Sequence, residues 1–179
     1  MMSTPTARGY LPIDGIVAYD NAVKSLVFGA DSEPVKSGRV ATVQAIGGTG
    51  GLKIGADFLK KVSPNAKVLI SDPSWENHRA LFINAGFTVE TYPYYDAAKR
   101  GINFEGFIAA LQAAEAGTVV VLHACCHNPT GYDITPEQWD LVVAAVKERQ
   151  LVAFLDMAYQ GFGSVSYTHL RAHETREDL

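Results

Sequence analysis

Residues 118–131 read TVVVLHACCHNPTG, a short apolar run rich in β-branched residues that leads directly into a turn. Similar apolar runs occur at residues 67–71 (KVLIS) and 151–156 (LVAFLD). A strand that is covered on both faces needs such a nearly continuous apolar run, so all three segments are predicted to be central strands. Amphipathic helical segments alternate with these runs between Gly48 and Asp156. The alternation predicts the α/β class, with a mainly parallel sheet flanked by helices.

One helix is predicted after a cluster of glycines. Apolar residues recur there at helical spacing, namely Leu52, Ala56, Leu59 and Val62. This spacing places them on one face of a helix that begins near Thr49 or Gly50. The amino end of the helix then faces the glycines.

A second helix has a complete start signal. Thr135 is predicted as its N-cap, Pro136 as its first residue, and Gln138 as the partner that completes a capping box. Ile134 precedes the cap and is placed to pack against Trp139. These signals set the start of the helix at Pro136.

Composition limits the classes of protein to which the chain belongs. The 179 residues are 47% hydrophobic and 19% charged, which is typical of a soluble globular protein and excludes a disordered one. The net charge of -4 comes without a basic run, so neither nucleic acid nor an anionic membrane surface is expected as a partner. No apolar window is long enough to span a bilayer, and MMSTPTARGYLP lacks the apolar core of a signal peptide. The only two cysteines, Cys125 and Cys126, are adjacent and are not expected to form a structural disulfide with each other. The lack of a signal peptide and of a disulfide together indicates the reducing cytoplasm.

The segment after Gly163 differs from the rest of the chain. It reads SVSYTHLRAHETREDL, which is polar and lacks periodicity, and its VSYTHLRAHET portion resembles the translation of a sequencing adapter. We therefore expect residues 164–179 to be a non-native tail and the native sequence to be interrupted near Gly163. A metal site at His169 and His173 is the alternative, but no third ligand is evident, and no metal site is predicted.

The glycine cluster Gly47-Gly48-Thr49-Gly50-Gly51 is a candidate anion site. At the start of a helix the backbone N–H groups lack intrahelical partners and lie at the positive end of the helix dipole. A phosphate group fits there, with the Thr49 hydroxyl as a further donor. A glycine turn with a purely structural role fits the same residues, so this motif alone leaves both interpretations open.

Polar residues follow two of the predicted strands. SDPSWENH (71–78) and HACCHNPTG (123–131) lie at strand carboxyl ends, where open α/β sheets bind ligands. Trp75 is placed either to stack on a planar ring or only to pack, and His78 has the same ambiguity. Pro129 favours an extended Asn128 whose amide points into the crevice.

The third strand ends in a carboxylate, Asp156, and Tyr159 follows it in FLDMAYQGFG. Because a buried lone carboxylate is costly, this position calls for a positive partner such as a pyridinium nitrogen. The strand ends together supply a phosphate cradle, a stacking ring, an amide donor and a carboxylate. Pyridoxal phosphate has the matching shape.

Five motifs in this order carry a family resemblance: YLPIDG, GGTGGLKIGADFLK, SDPSWENH, HACCHNPTG and FLDMAYQGFG. Together they resemble the class I pyridoxal-phosphate-dependent aminotransferases of the aspartate and aromatic amino acid subgroup, over residues 9–163. The resemblance implies that residues 1–163 are part of the large domain of a fold-type I transferase. It also implies a central fragment of a longer enzyme.

The resemblance further implies roles for single residues around the cofactor ring. Trp75 matches the tryptophan that stacks on the ring, and Asn128 and Tyr159 match the pair that binds its phenolic oxygen. Asp156 matches the carboxylate that keeps the ring nitrogen protonated. His78 matches the residue behind Asp156 that orients it.

The phosphate end of the cofactor is matched by other residues. Gly48 and Thr49 match the phosphate-binding turn, with Gly47 beside them. Tyr10 matches a tyrosine that reaches the phosphate held by the neighbouring subunit. The resemblance therefore implies a homodimer.

The catalytic lysine of the family has no counterpart here, because no lysine follows Lys147. No catalytic residue is therefore assigned, and this chain alone is expected to be inactive. The resemblance implies that the complete protein exchanges an amino group between an aromatic L-amino acid, or aspartate, and a 2-oxo acid such as 2-oxoglutarate. The alternatives are a strict aspartate aminotransferase, a truncated non-catalytic fragment that binds pyridoxal phosphate, and a non-enzymatic protein that binds a phosphate-bearing ligand.

Overall fold

The computed structural model describes residues 9–163, and the predicted tail at residues 164–179 lies outside that range. The six helices of this part of the chain are α1 (Val17–Phe28), α2 (Glu33–Lys36), α3 (Gly47–Val62), α4 (Glu76–Asn84), α5 (Phe104–Ala113) and α6 (Pro136–Glu148). Its six strands are β1 (Lys67–Asp72), β2 (Thr88–Pro93), β3 (Tyr95–Asp96), β4 (Gly101–Ile102), β5 (Val119–His123) and β6 (Val152–Asp156). None of the helices between residues 9 and 163 is long and apolar enough to cross a membrane.

Four of the strands form one sheet in the order β2-β1-β5-β6, and every neighbouring pair is parallel. Strand β1 therefore lies between β2 and β5, and β6 pairs with β5. Helices connect the strands, because parallel neighbours need a crossover connection and not a tight turn. The remaining pair, β3 and β4, forms a small antiparallel sheet. The predicted α/β architecture with a mainly parallel sheet is confirmed.

Strands β1 and β5 are central, as predicted. The four residues 68–71 of β1 and the four residues 119–122 of β5 are all buried. Strand β2 was not predicted, because the large apolar residues of TVETYP, Val89 and Tyr92, are three positions apart and form neither a continuous apolar run nor a period-two alternation. Its place beside β1 is fixed by pairing along its full length, from Thr88 opposite Lys67 to Pro93 opposite Asp72.

The prediction that β6 is a central strand is wrong for the described part of the chain. It lies at the edge of the sheet, where Ala153 is exposed and Leu155 is 42% exposed. A continuous apolar run indicates that a strand has apolar surface on both faces, but it does not fix the neighbours of the strand.

Two apolar clusters lie on opposite faces of the sheet, because side chains alternate along each strand. One contains Leu69 and Val120 and is covered by α5 and α6. The other contains Val68 and Val121 and includes side chains of α3 and α4, such as Phe82. Helices thus flank both faces, as the alternating sequence pattern predicts.

Helix α3 begins at Gly47, two to three residues before the predicted start. The apolar periodicity begins only at Leu52 and therefore carries no information about the first turn. Gly47 has φ of +63°, a conformation that glycine adopts without steric cost. Farther along, a Cβ atom on Gly55 would lie 2.9 Å from the ring of Phe154, so glycine allows α3 to approach β6 closely.

The start of α6 is confirmed in detail. Pro136 is its first residue, and the Thr135 hydroxyl accepts a bond from the Gln138 N–H at 3.3 Å. The Gln138 side-chain carbonyl accepts in return from the Thr135 N–H at 2.9 Å. Ile134 and Trp139 are both buried in the same apolar cluster, as the predicted staple requires.

Candidate active site

A cavity of about 150 Å³ lies at the carboxyl ends of β1, β5 and β6. Parallel strands end at the same edge of a sheet, so the loops that follow them enclose a common space. Four segments of the chain contribute to the wall, and its lining residues are Gly48, Leu52, Trp75, His123, Cys125, Asn128, Asp156, Ala158 and Tyr159.

Five of the predicted cofactor-binding residues meet in this cavity: Gly48, Trp75, Asn128, Asp156 and Tyr159. They come from α3 and from the loops or strand ends after β1, β5 and β6. The remaining predicted residues lie outside the wall.

Three predicted residues do not line the cavity. Gly47 and Thr49 flank Gly48 in the first turn of α3. Tyr10 is fully exposed and lies outside the wall of this cavity. The role of Tyr10 in a neighbouring subunit stays a prediction.

A hydrogen-bonded chain of three side chains fixes the carboxylate. His78 Nε2 lies 2.7 Å from Asp156 Oδ2, and His78 Nδ1 lies 2.9 Å from the Ser74 hydroxyl. Helix α4 begins directly after Trp75, which places His78 in its first turn with its side chain fully buried. Because both ring nitrogens of His78 have partners, its ring is held in one orientation, and it in turn holds Asp156 at the cavity.

The amino end of α3 presents backbone N–H groups beside the cavity. The helix has no side-chain cap at its N-cap residue, Ile46. The first four N–H groups of any helix lack intrahelical partners, and here no N-cap side chain accepts from them, so they present the positive end of the helix dipole. A Cβ atom on Gly47 or Gly48 would meet no atom within 4 Å, so the space in front of this turn is open.

The loop that carries Asn128 is held by a residue that the sequence did not reveal. The carboxylate of Asp133 accepts bonds from the backbone N–H groups of Cys126 at 2.7 Å and His127 at 2.8 Å. Cys126 has φ of +49°, and the Asn128-Pro129 peptide bond is cis. Aspartate side chains often accept from nearby backbone N–H groups in turns. The sequence nevertheless does not distinguish Asp133 from other aspartates in loops, so this role was not predicted.

Two further histidines lie next to the site. His123 is in the cavity wall, and its ring lies 4.9 Å from that of His78 and 4.1 Å from that of His127. Burial, and to a smaller extent the neighbouring His78, lower the pKa of His123 to about 4. Both imidazoles thus remain neutral near pH 7, because burial likewise lowers the pKa of His127 to about 3.

The surroundings of the two histidines differ. His127 Nε2 lies 2.9 Å from the Ser71 hydroxyl, Nδ1 lies 2.9 Å from the Thr130 hydroxyl, and the ring stacks on Tyr94. His123 has no hydrogen-bond partner for either buried ring nitrogen in the described part of the chain. His127 is thus a fixed structural element, whereas His123 offers free polar atoms. Their place in HACCHNPTG at a strand end is the only sequence signal for either residue.

Neither cysteine forms a disulfide within residues 9–163. Cys125 is buried and lines the cavity, and Cys126 is partly exposed. This agrees with the expectation that the two adjacent residues form no structural disulfide with each other.

The arrangement is able to bind a ligand that has an anionic group at one end and a basic ring atom at the other. The anion fits the N–H groups of α3, and the basic atom fits the carboxylate of Asp156. Trp75 supplies an aromatic face between them, and Asn128 supplies an amide.

Comparison with known proteins shows the family to which the chain belongs. The sequence matches the family described as aminotransferase class I and II over residues 1–178. It is 59% identical over 157 residues to the aspartate aminotransferase of Pseudomonas aeruginosa, covering 88% of this chain and 39% of that protein. It is 53% identical over 155 residues to the aromatic-amino-acid aminotransferase of Escherichia coli strain K12, covering 87% of this chain and 39% of that protein.

The fold of the chain also matches solved structures of aminotransferases. The crystal structure of the aromatic-amino-acid aminotransferase from Burkholderia pseudomallei, covalently bound to pyridoxal phosphate, superposes with a TM-score of 0.90 at 61% identity. The superposition covers 94% of this chain and 43% of that protein. The chain thus spans about two fifths of the length of the relatives it matches. Since the family match spans nearly the whole chain, this protein belongs to the class I and II aminotransferases, in the aspartate and aromatic amino acid subgroup.

Proposed function

We propose that this chain is the cofactor-binding part of a pyridoxal-phosphate-dependent aminotransferase. The complete protein exchanges an amino group between an aromatic L-amino acid, or aspartate, and a 2-oxo acid such as 2-oxoglutarate. The observation that carries the proposal is that Gly48, Trp75, Asn128, Asp156 and Tyr159, which are far apart in sequence, line one cavity. The relative from Burkholderia pseudomallei, which is covalently bound to pyridoxal phosphate, supports the choice of cofactor.

The residues present fit this cofactor in charge and shape. The uncapped first turn of α3, next to open space at Gly47 and Gly48, suits a phosphate group. The carboxylate of Asp156, at the far end of β6, suits a protonated ring nitrogen, and it lines the same cavity. A ligand with only a phosphate would not contact Asp156, and a ligand with only a basic ring would not contact the first turn of α3.

In this proposal Asp156 holds a proton on the ring nitrogen. His78 positions the carboxylate, because it binds Asp156 at 2.7 Å and is itself held by Ser74 at 2.9 Å. When bound, the cofactor supplies an electron sink for the amino acid that loses its α-proton. The protonated ring nitrogen is what makes that sink effective, so Asp156 determines the reactivity of the site.

The other residues bind and orient. Gly47, Gly48 and Thr49 receive the phosphate at the start of α3. Trp75 lines the cavity, where its indole would cover one face of the ring. Asn128 and Tyr159 also line the cavity, from the loops after β5 and β6, and would donate hydrogen bonds to the phenolic oxygen.

The chemistry of proton transfer is assigned to a part of the complete protein beyond this chain. No lysine follows Lys147, and none lines the cavity formed by residues 9–163. We propose that residues 1–163 are part of the large domain and that residues 164–179 are not native to it. Tyr10, which is fully exposed, is proposed to act on the phosphate in the partner of a homodimer. A cytoplasmic location is proposed because the adjacent residues Cys125 and Cys126 form no disulfide in the part of the chain that the structure describes.

The substrate is proposed to be aromatic, with strict aspartate specificity as the alternative. Relatives of both kinds are more than 50% identical to this chain, the aspartate enzyme at 59% and the aromatic enzyme at 53%. Initial rates of the complete protein with tyrosine, phenylalanine and aspartate test this choice. Activity with aspartate alone would establish the alternative.

Cofactor binding is best tested with pyridoxamine 5'-phosphate, because its amine does not form adducts with the eight lysines of the chain. Saturable quenching of tryptophan fluorescence is expected, and it should require both halves of the site. Pyridoxamine without its phosphate and inorganic phosphate without a ring are each expected to bind at least about tenfold more weakly, which corresponds to 1.4 kcal/mol. Equal binding of inorganic phosphate would favour the non-enzymatic phosphate-binding protein.

A further inference from the structure

Three metal-ligating side chains from separate segments meet beside the cavity. His78 in α4, His123 at the end of β5 and Asp156 at the end of β6 each offer a ligand atom, and these atoms all lie within 4.8 Å of one another. We propose that these three residues form a binding site for a transition-metal ion of the Zn²⁺ type in the cofactor-free protein. The proposal does not rest on the proposed function, because it concerns this chain without its cofactor.

The state of His123 is the strongest support. Its two ring nitrogens are buried and have no hydrogen-bond partner among residues 9–163. A buried polar atom without a partner costs free energy, and coordination of a metal ion would satisfy one of the two. The other buried histidine nearby, His127, already has a partner on each nitrogen, so it is not available as a ligand.

The donor set matches the chemistry of zinc. Two imidazole nitrogens and one carboxylate oxygen are typical of open zinc sites, with water in the fourth position. Ligand distances of about 2.0–2.2 Å in a tetrahedron require donor atoms roughly 3.3 Å apart. His78 Nε2 and Asp156 Oδ2, now at 2.7 Å, would separate slightly, while the most distant pair, at up to 4.8 Å, would close.

The proton balance of the site is simple. Metal coordination needs a deprotonated Nε2 on His78, so the ring proton resides on Nδ1 and is donated to the Ser74 hydroxyl, 2.9 Å away. For a neutral imidazole this is a change of tautomer, in which the proton is on Nδ1 instead of Nε2 and none is released. Ser74 then orients the ligand, as partners of metal-bound histidines do. Asp156 and His123 line the cavity, which gives an ion access and leaves room for water.

Because Asp156 serves both as a metal ligand and as the carboxylate for the cofactor ring, the two ligands should exclude each other. The cysteines are the competing metal-binding groups, since Cys125 also lines the cavity. The histidines of the tail, His169 and His173, are a second competing pair. An experiment must therefore separate three sources of metal binding.

The test is a titration of the EDTA-treated, dialysed 179-residue chain with Co²⁺, whose visible absorption reports a four-coordinate site, followed by displacement with Zn²⁺. One equivalent should bind. The His123→Gln variant should bind at least about tenfold more weakly, whereas the matched double variant H169Q/H173Q should bind as the unchanged chain does. His123 is chosen because its ring has no hydrogen bond to lose among residues 9–163.

Unchanged binding by His123→Gln, or loss of binding in the tail variant, would overturn the proposal. X-ray absorption of the Zn²⁺-loaded, unsubstituted chain supplies a test that needs no variant. A first shell of nitrogen and oxygen is expected, and sulfur in that shell would assign the metal to the cysteines and reject the site.

Competition separates this proposal from the proposed function. Pyridoxamine 5'-phosphate should release the metal into a chelating dye if both ligands use Asp156. Metal binding that is lost in His123→Gln but insensitive to the cofactor analogue would keep the metal site and count against the cofactor assignment. Binding of the analogue without any binding of metal would reject the metal site and leave the cofactor assignment in place.

Discussion

At the scale of single residues, the site depends on how a carboxylate is held. Asp156 ends an apolar strand, and its carboxylate is hydrogen-bonded to His78, which is fully buried. Ser74 fixes the other side of that imidazole. A carboxylate at the end of an apolar strand needs a polar or positively charged partner, which is the reason to expect a cationic ligand atom beside Asp156.

The first prediction is that Asp156→Ala in the complete protein lowers the rate of transamination at least about 100-fold, because the ring nitrogen loses the group that keeps it protonated. Steady-state rates with saturating cofactor measure the effect. Asp31→Ala is the control, since Asp31 is an exposed surface residue whose contact is an ion pair with Lys36. Activity of Asp156→Ala within about tenfold of the unchanged protein would remove Asp156 from the site.

The second prediction concerns Trp75. Replacement by alanine should weaken the binding of pyridoxamine 5'-phosphate about three- to tenfold through lost stacking, with a smaller effect on the chemical step. Trp75→Phe retains an aromatic face and should bind within about threefold of the unchanged chain. Dissociation constants from equilibrium dialysis measure both. An unchanged constant for Trp75→Ala would mean that the indole only packs.

The third prediction is a loss of stability as the pH falls. Burial lowers the pKa of His123 to about 4 and of His127 to about 3, whereas both titrate near 6.5 in the unfolded chain. Below pH 6.5 the unfolded state therefore binds more protons than the folded state. The stabilisation is complete above pH 6.5 and is lost as the pH falls towards the folded-state values.

Urea unfolding in the presence of EDTA measures this effect. Between pH 7 and pH 5.5 the free energy of unfolding should fall by about 1 kcal/mol for each of the two histidines. The His127→Gln variant should lose roughly half of this pH dependence. A flat profile over this range would show that neither imidazole is kept neutral by burial.

At the scale of elements, the two helix starts illustrate different kinds of stabilisation. Helix α6 has a complete capping box between Thr135 and Gln138, so its first turn is stabilised from within the chain. Helix α3 has no side-chain cap and starts with glycines. At a capped helix end a side chain binds N–H groups of the first turn and stabilises the helix. At an uncapped end beside a cavity these N–H groups are available to a ligand.

The fourth prediction is that Thr135→Ala destabilises the protein by about 1 kcal/mol, because the Gln138 N–H loses its acceptor and the capping box is broken. Thr135→Ser keeps the hydroxyl and should restore most of this loss. Chemical unfolding of both variants measures the difference. Equal stability of the alanine and serine variants would mean that the bond at 3.3 Å contributes little.

At the scale of the whole molecule, much apolar surface remains uncovered in the described part of the chain. Leu155 on the edge strand β6 is 42% exposed, and Phe162, close to the last described residue, is 87% exposed. On α3, Ile54 and Phe58 are also exposed. A bare strand edge combined with apolar patches promotes association.

The fifth prediction is that the 179-residue chain, purified alone, binds the dye ANS and associates with increasing concentration. Sedimentation velocity over a concentration series measures the association. Leu155→Lys should weaken it, because a lysine on an edge strand discourages further pairing. A chain that stays monomeric, binds no dye and melts cooperatively would contradict the prediction.

Local signals explain what the sequence determined by itself. The apolar runs of β1 and β5, the alternation of helix and strand, and the start of α6 each depend on residues within a few positions of one another. The family resemblance was also readable, because five motifs occur in a fixed order. Each of these features was confirmed, since short-range stereochemistry and burial act on contiguous residues.

The tertiary structure decided the features that depend on distant residues. It moved the start of α3 to Gly47, because open space and a positive φ at that glycine are not visible in apolar periodicity. It placed β6 at an edge, because strand order is set by pairing rather than by apolar content. It also brought His123 beside His78 and Asp156, which no spacing along the chain predicts. Parallel strands that end at one edge are the physical reason, since they gather side chains from distant segments into one cavity.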